Sequence, residues 1–248
     1  MSCSELADWY LRHRLAVLDL GSASFRRAWS ETVPVGYRPG ICLSRLVAAA
    51  RVRRIGRGLY VVTDPVRATP SIAIASGAFR EVPHYITTDA ALAQHGLIDQ
   101  PISEITVVLP RVRQPIRIDQ VTVIRPVTLD ERRVQAADVY GTTVEGFAIR
   151  IATPEQAVAD ALAEPRWMLH GDLLPEVLAG FTDEEVARTA TGVLGRTTAA
   201  AQRLGYLLEE AGRLLPAALA GLRPVRAVRL RPQKQARGPY STRWRVYA

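Results

Sequence analysis

Four arginines fall within one short stretch, Arg51, Arg53, Arg54 and Arg57, and follow directly on a segment that carries Ser44 and Arg45. A guanidinium group grips phosphate oxygens or the O6/N7 edge of guanine with two parallel hydrogen bonds and keeps its charge at any working pH. Placed on a helix, a hydroxyl and an arginine can read base edges in a major groove. Arginines on an adjoining hairpin reach phosphates or a narrow minor groove. The chemistry on offer is polyanion recognition, and Ser44, Arg45, Arg51, Arg53, Arg54 and Arg57 are the expected DNA contacts. A second basic group, Arg226, Arg229, Arg231, Lys234 and Arg237, suits nucleic acid or an acidic protein face. It suits equally well the solvated surface of a helical domain with Trp244 and Val246 packed inward.

Catalytic chemistry finds little support. The four histidines, His13, His84, His95 and His170, form no i, i+4 pair and have no acid at metal-ligand spacing, so no metal and no other cofactor is expected. Gly56-Arg57-Gly58 reads as a turn and not as a phosphate loop, and no nucleophile elbow occurs. Thr88 and Asp89 read as helix-capping residues. The expectation is a binding protein and not an enzyme.

Charge follows the same division. Residues 1–62 hold ten Arg against four acids, residues 223–248 hold seven Arg and one Lys against none, and the middle is mildly acidic within a total of +8. An anion-binding module at each end fits this pattern, although an arginine-rich composition also follows from GC-rich coding. At 48% hydrophobic and 23% charged residues the 248-residue chain has an ordinary globular composition, long enough for two or three modules. No apolar run reaches the length of a membrane span, and the first residues lack the basic-then-apolar pattern of a leader, so the expected location is cytoplasmic. Cys3 and Cys42 are too few for a disulfide framework or a zinc cluster, and Cys42 reads as a small buried hydrophobe.

The elements that must position the arginines come next. Helical spacing runs from Ser4 to Asp19. Ser22 or Ser24 caps a second short helix that ends before Pro34. Ile41 to Ala50 places Leu43, Leu46, Val47 and Ala50 on one stripe and leaves Ser44, Arg45 and Ala48 outward. Period-two patterning then sets a hairpin over Val52 to Val62 with Arg57 at its tip. Three helices and a tight hairpin predict a winged helix-turn-helix over residues 1–65.

Beyond it, helices are predicted from Thr69-Pro70 through Phe79, from Thr88 to His95 and from Pro154 to Ala163. Strands are predicted over 104–109, 116–124, 139–144 and 147–151. Capping at Thr182 and a helix over about 198–211 make the remainder helical, with short strands at 226–230 and 243–247. The expected class is α+β: the winged head, a mixed α/β domain over 66–170, and a helical part with a basic tail over 171–248. Residues 66–248 forming one domain is the alternative division.

Several stretches resemble the AbiEi-type antitoxins of type IV toxin-antitoxin systems. They are Val52 to Tyr60, Tyr85-Ile86-Thr87-Thr88-Asp89-Ala90-Ala91-Leu92-Ala93-Gln94-His95-Gly96-Leu97, Ile151 to Asp160, and Gln202 to Glu209, in that order. The resemblance implies a head that binds the promoter of its own operon and represses it, with Arg53, Arg54 and Arg57 as DNA contacts. It also implies a C-terminal part that counters a nucleotidyltransferase-like toxin, and it names no neutralising residue. The alternatives are a transcriptional regulator without a toxin partner and a winged-helix module that binds protein.

Overall fold

The computed structural model describes residues 3–231 and 239–248, so Lys234 and Arg237 of the second basic group lie outside the described residues. In chain order come α1 (Cys3–Arg12), β1 (Val17–Asp19), α2 (Ala23–Thr32), α3 (Pro39–Ala48), β2 (Val52–Gly56) and β3 (Leu59–Val62). Next are α4 (Ser71–Ala78), β4 (Tyr85–Ile86), α5 (Thr88–Gln94), β5 (Glu104–Leu109), β6 (Ile116–Arg117) and β7 (Val123–Thr128). They are followed by α6 (Glu131–Ala136), β8 (Val139–Val144), β9 (Phe147–Ala152), α7 (Pro154–Ala163), α8 (Leu174–Gly180) and α9 (Asp183–Leu194). The chain closes with α10 (Thr198–Glu210), α11 (Ala217–Ala220), β10 (Val228–Arg229), β11 (Tyr240–Ser241) and β12 (Val246–Tyr247). The class is mixed α+β.

Two compact units share these elements, and both are discontinuous in sequence. The first takes residues 1–86, 103–136 and 140–151; the second takes 87–102, 137–139 and 152–248. The linear divisions at residues 65 and 170 do not coincide with them. Strand pairing joins β4 and β9 to β5 and β7 in one sheet although a helix intervenes in sequence between β4 and β5.

In the first unit, α1, α2 and α3 enclose a core of Leu6, Trp9, Tyr10, Phe25, Leu43 and Leu46, backed by a three-stranded antiparallel sheet of order β1-β3-β2. Ser22 caps α2, accepting a hydrogen bond from the Phe25 amide at 2.9 Å, as its position in the sequence requires. The predicted first helix is too long. It stops at Arg12, Arg14 takes a left-handed φ of 51°, and Val17 to Asp19 leave the helix to pair with Val61 to Leu59. The pairing of β2 with β3 is antiparallel, with Val52 opposite Val62 and Gly56 opposite Leu59. Gly58, at φ 74°, turns the chain after Arg57 in a region that costs a residue with a Cβ.

Also in this unit, α4 packs on β1. A Cβ on Gly77 would meet the Val17 side chain at 3.2 Å, so the absence of a side chain there sets how closely helix and strand approach. The six-stranded sheet has the order β6-β7-β5-β4-β9-β8 and mixes parallel pairs (β5 with β7, β4 with β9) with antiparallel ones (β4 with β5, β6 with β7). The predicted strand over 116–124 is in fact two. Asp119 Oδ1 accepts from the amides of Val121 and Thr122 at 2.8 and 2.7 Å, folding a tight turn that the Val/Ile content of the stretch conceals.

The second unit is helical around α7, α9 and α10. Thr153 caps α7, and Thr182 with Glu185 forms the reciprocal capping box at α9. A small sheet of order β10-β12-β11 completes it, with Trp244 and Val246 buried. Cys3 and Cys42 form a disulfide between α1 and α3 in the first unit, with Cα atoms 5.4 Å apart. Cys42 is therefore buried as expected but is not a plain hydrophobe. The partner lies 39 residues away, beyond what local spacing reveals.

Candidate nucleic-acid interface

α3 starts with Pro39 at its first turn, a position where a missing N–H costs nothing. Its inner side is Cys42, Leu43 and Leu46, all buried, while Val47 and Ala50, expected inside, are exposed. The outer face therefore carries Ile41, Ser44, Arg45, Val47 and Ala48, wider and more apolar than the sequence pattern indicates. Ser44 Oγ donates to the Gly40 carbonyl at 2.8 Å and keeps lone pairs for a partner. The Arg45 guanidinium lies 5.9 Å from the centre of the Tyr37 ring and is otherwise open to solvent.

The hairpin arginines divide into two kinds. Arg57 at the tip is exposed, and Arg54 Nε donates to the Gly56 carbonyl at 3.1 Å from an exposed position. Arg51 and Arg53 are held by the protein. Arg51 pairs with Asp8 of α1, with 31% of its side chain exposed, and Arg53 donates to the Ile118 carbonyl just beyond β6. Their partners stand 43 and 65 residues away in sequence, so local reading cannot see them. These two guanidinium groups brace the hairpin, one against the helices and one against the larger sheet.

Beside the hairpin tip lies an open cleft of about 730 Å³, bordered by Arg57, Asp19, Glu81, Arg111, Arg113 and Gln114 among others. In the sequence, Arg111 to Pro115 is marked only as a connection between strands. From Pro110 to Ile118 it carries Arg111, Arg113 and Arg117 with no acid, and that run of charge was the available signal.

The second basic group is anchored through its backbone. Gln202 Nε2 donates to the carbonyls of Arg226 at 2.9 Å and Trp244 at 2.7 Å, and buried Arg203 donates to those of Arg229 at 2.9 Å and Leu162 at 2.7 Å. Burial pulls the Arg203 pKa below its ordinary value, yet these carbonyls answer its N–H groups. The side chains of Arg226 and Arg229 are exposed and that of Arg231 is half-buried.

Thr88 and Asp89 do not cap α5. Thr88, at φ 52°, donates to the Trp167 carbonyl at 3.0 Å. Buried Asp89 accepts from the amides of Leu169 and His170 at 2.9 and 3.0 Å and pairs with the His170 ring at 2.7 Å. They fasten the 167–170 segment. Fully buried Asp160 pairs with Arg196 and accepts from Thr87 at 2.6 Å. Burial pushes its carboxyl up, against the opposing pull of Arg196 and Thr87. His84 is buried between Ser76 Oγ at 3.0 Å and the Val82 carbonyl at 2.9 Å, and burial lowers its pKa. No group of three or more His, Cys, Asp and Glu side chains among the described residues is placed to hold a metal ion. No helix among them is long and apolar enough to cross a membrane.

This geometry defines an α+β protein with a small three-helix head, a mixed sheet and a helical remainder. Its fold is similar to that of the RV2827C protein from Mycobacterium tuberculosis, with a TM-score of 0.65 and 16% identity over 98% of this chain and 90% of that one. No curated protein matches the chain. Residues 85–210, from β4 through α10, match the model of the AbiEi antitoxin C-terminal domain, and the chain belongs to that antitoxin family.

Proposed function

We propose that the chain is a DNA-binding antitoxin of a type IV system: it represses its own operon through a winged helix-turn-helix over residues 1–65 and counters a nucleotidyltransferase-like toxin. The toxin half of this reading rests on family membership. The DNA half rests on one observation: Ser44 and Arg45 on α3 and Arg54 and Arg57 on the hairpin are all exposed basic or polar groups on adjoining elements of one small head. In this reading α3 lies in the major groove and Arg57 meets the backbone beside it. Arg51 and Arg53 act indirectly, by bracing the hairpin.

No metal or cofactor is needed for either role, and the protein is not an enzyme in this reading. The test is retardation of a duplex carrying the operon's own promoter against an unrelated duplex. Arg45→Ala should narrow the preference for the promoter, and Arg57→Ala should weaken both complexes by a similar factor. Equal binding of both duplexes by all three proteins would remove sequence-specific repression from the account.

A further inference from the structure

The cleft beside the hairpin tip has an uneven distribution of charge that the head alone does not explain. Its two acids are turned to the protein. Asp19 Oδ1 accepts from the Gly21 amide at 2.9 Å, and the Glu81 carboxylate faces the Ala23 amide at 3.4 Å and Ser24 Oγ at 3.5 Å, at the start of α2. Its arginines are turned to solvent: Arg57 from the hairpin, and Arg111 and Arg113 from the connection between β5 and β6, are all exposed. No hydrogen bond or ion pair among the described residues holds any of the three. Three full charges left without partners on one concave rim need a counterion, and a row of phosphates supplies it.

The two sides of this rim are mechanically joined. Arg53 of β2 donates to the carbonyl of Ile118, one residue past β6, which itself ends the Arg111 to Pro115 connection. Gly77 of α4 seats that helix on Val17 of β1. The hairpin therefore cannot swing away from the connection without breaking this part-buried hydrogen bond, and its arginine and the two beyond it present to a ligand as one surface.

We infer that the DNA-binding surface is composite, extending from the head onto the larger sheet, with Arg111 and Arg113 holding phosphates of the same duplex that Arg57 touches. This rests on the DNA-binding reading above, and it departs from the confinement of contacts to residues 1–65. Duplex DNA fits better than a small anion because the rim is open and its charges are spread over two segments, whereas a single phosphate would be met by converging donors.

The experiment is a salt titration of fluorescence anisotropy for a labelled promoter duplex, using the full chain, Arg57→Ala, and the double variant Arg111→Ala/Arg113→Ala. All three positions are exposed, so thermal melting should be unchanged. The slope of log affinity against log salt should fall by about 1 unit for Arg57→Ala and by about 2 for the double variant, with binding weakened roughly tenfold or more at physiological salt. A double variant with the wild-type slope beside a weakened Arg57→Ala overturns the composite surface and leaves the head as the whole site. A weakened double variant beside an unchanged Arg57→Ala overturns it too, because the hairpin would then not share the duplex. No salt-dependent binding by the wild-type protein overturns both this inference and the DNA-binding reading.

Discussion

Replacing Gly205 with alanine should destabilise the protein, although it adds a better helix former to the middle of α10. A Cβ at 205 would sit 2.3 Å from Cη2 and Cζ3 of Trp244 and 2.6 Å from Cε3. Carbon atoms pack at about 3.5–4.0 Å, so the ring must retreat by more than an ångström. It has nowhere to go. Trp244 is 1% exposed, its Nε1 donates to Glu209 Oε2 at 2.7 Å, and its carbonyl is held by Gln202. Overpacking costs about 1–3 kcal/mol, and a well-tethered ring belongs at the upper end; the gain in helix propensity offsets about 1 kcal/mol, leaving a net loss of about 2 kcal/mol. Urea denaturation followed by circular dichroism measures it. The decisive comparison is the same substitution in a Trp244→Ala background, where the ring is gone and Gly205→Ala should stabilise by about 1 kcal/mol. A stabilising effect in the wild-type background, or the same sign in both, would refute the close approach of α10 to Trp244.

Further outcomes follow from the same physics. Asp160→Asn leaves the Arg196 guanidinium, 19% exposed, without its charged partner, and should cost about 3 kcal/mol in chemical denaturation. Because burial holds the His84 pKa low, the unfolded chain takes up a proton first as pH falls below the usual histidine value. His84 therefore contributes stability above that value that is lost as pH falls through the window beneath it. The urea midpoint of the wild type should drop more between pH 7 and 5.5 than that of His84→Gln, and parallel pH profiles would contradict this. Reduction of the Cys3–Cys42 disulfide with a dithiol releases a cross-link spanning 39 residues and should lower stability by about 2–4 kcal/mol, an effect absent from Cys3→Ser/Cys42→Ser.

Local chemistry was readable where it was self-contained. Ser22, Thr153 and Thr182 cap their helices because capping needs only three or four neighbouring residues, and the hairpin over 52–62 follows from alternation and Gly58. What required a distant partner was hidden. Val17 and Leu18 satisfy helical spacing but pair with β3, and only tertiary context decides between the two. A four-residue rhythm puts Val47 on the inner side, but the buried side of α3 is Cys42, Leu43 and Leu46, with Cys42 bonded to Cys3. The candidate site shows the same limit. Arg54, Arg57, Ser44 and Arg45 lie exposed, whereas the roles of Arg51 and Arg53 depend on Asp8 and Ile118, and the nearness of Arg111 to Arg57 depends on the sheet.

In the proposed function the outer face of α3 and the hairpin tip meet duplex DNA. Amide and arginine side-chain NMR spectra recorded while promoter duplex is added to the full chain address it directly. Shifts should concentrate at Ser44, Arg45, Ala48 and Arg57, with Leu6 and Trp9 in the head core unmoved. Shifts confined to the helices between Pro154 and Glu210, with the head spectrum unchanged at saturation, would contradict it.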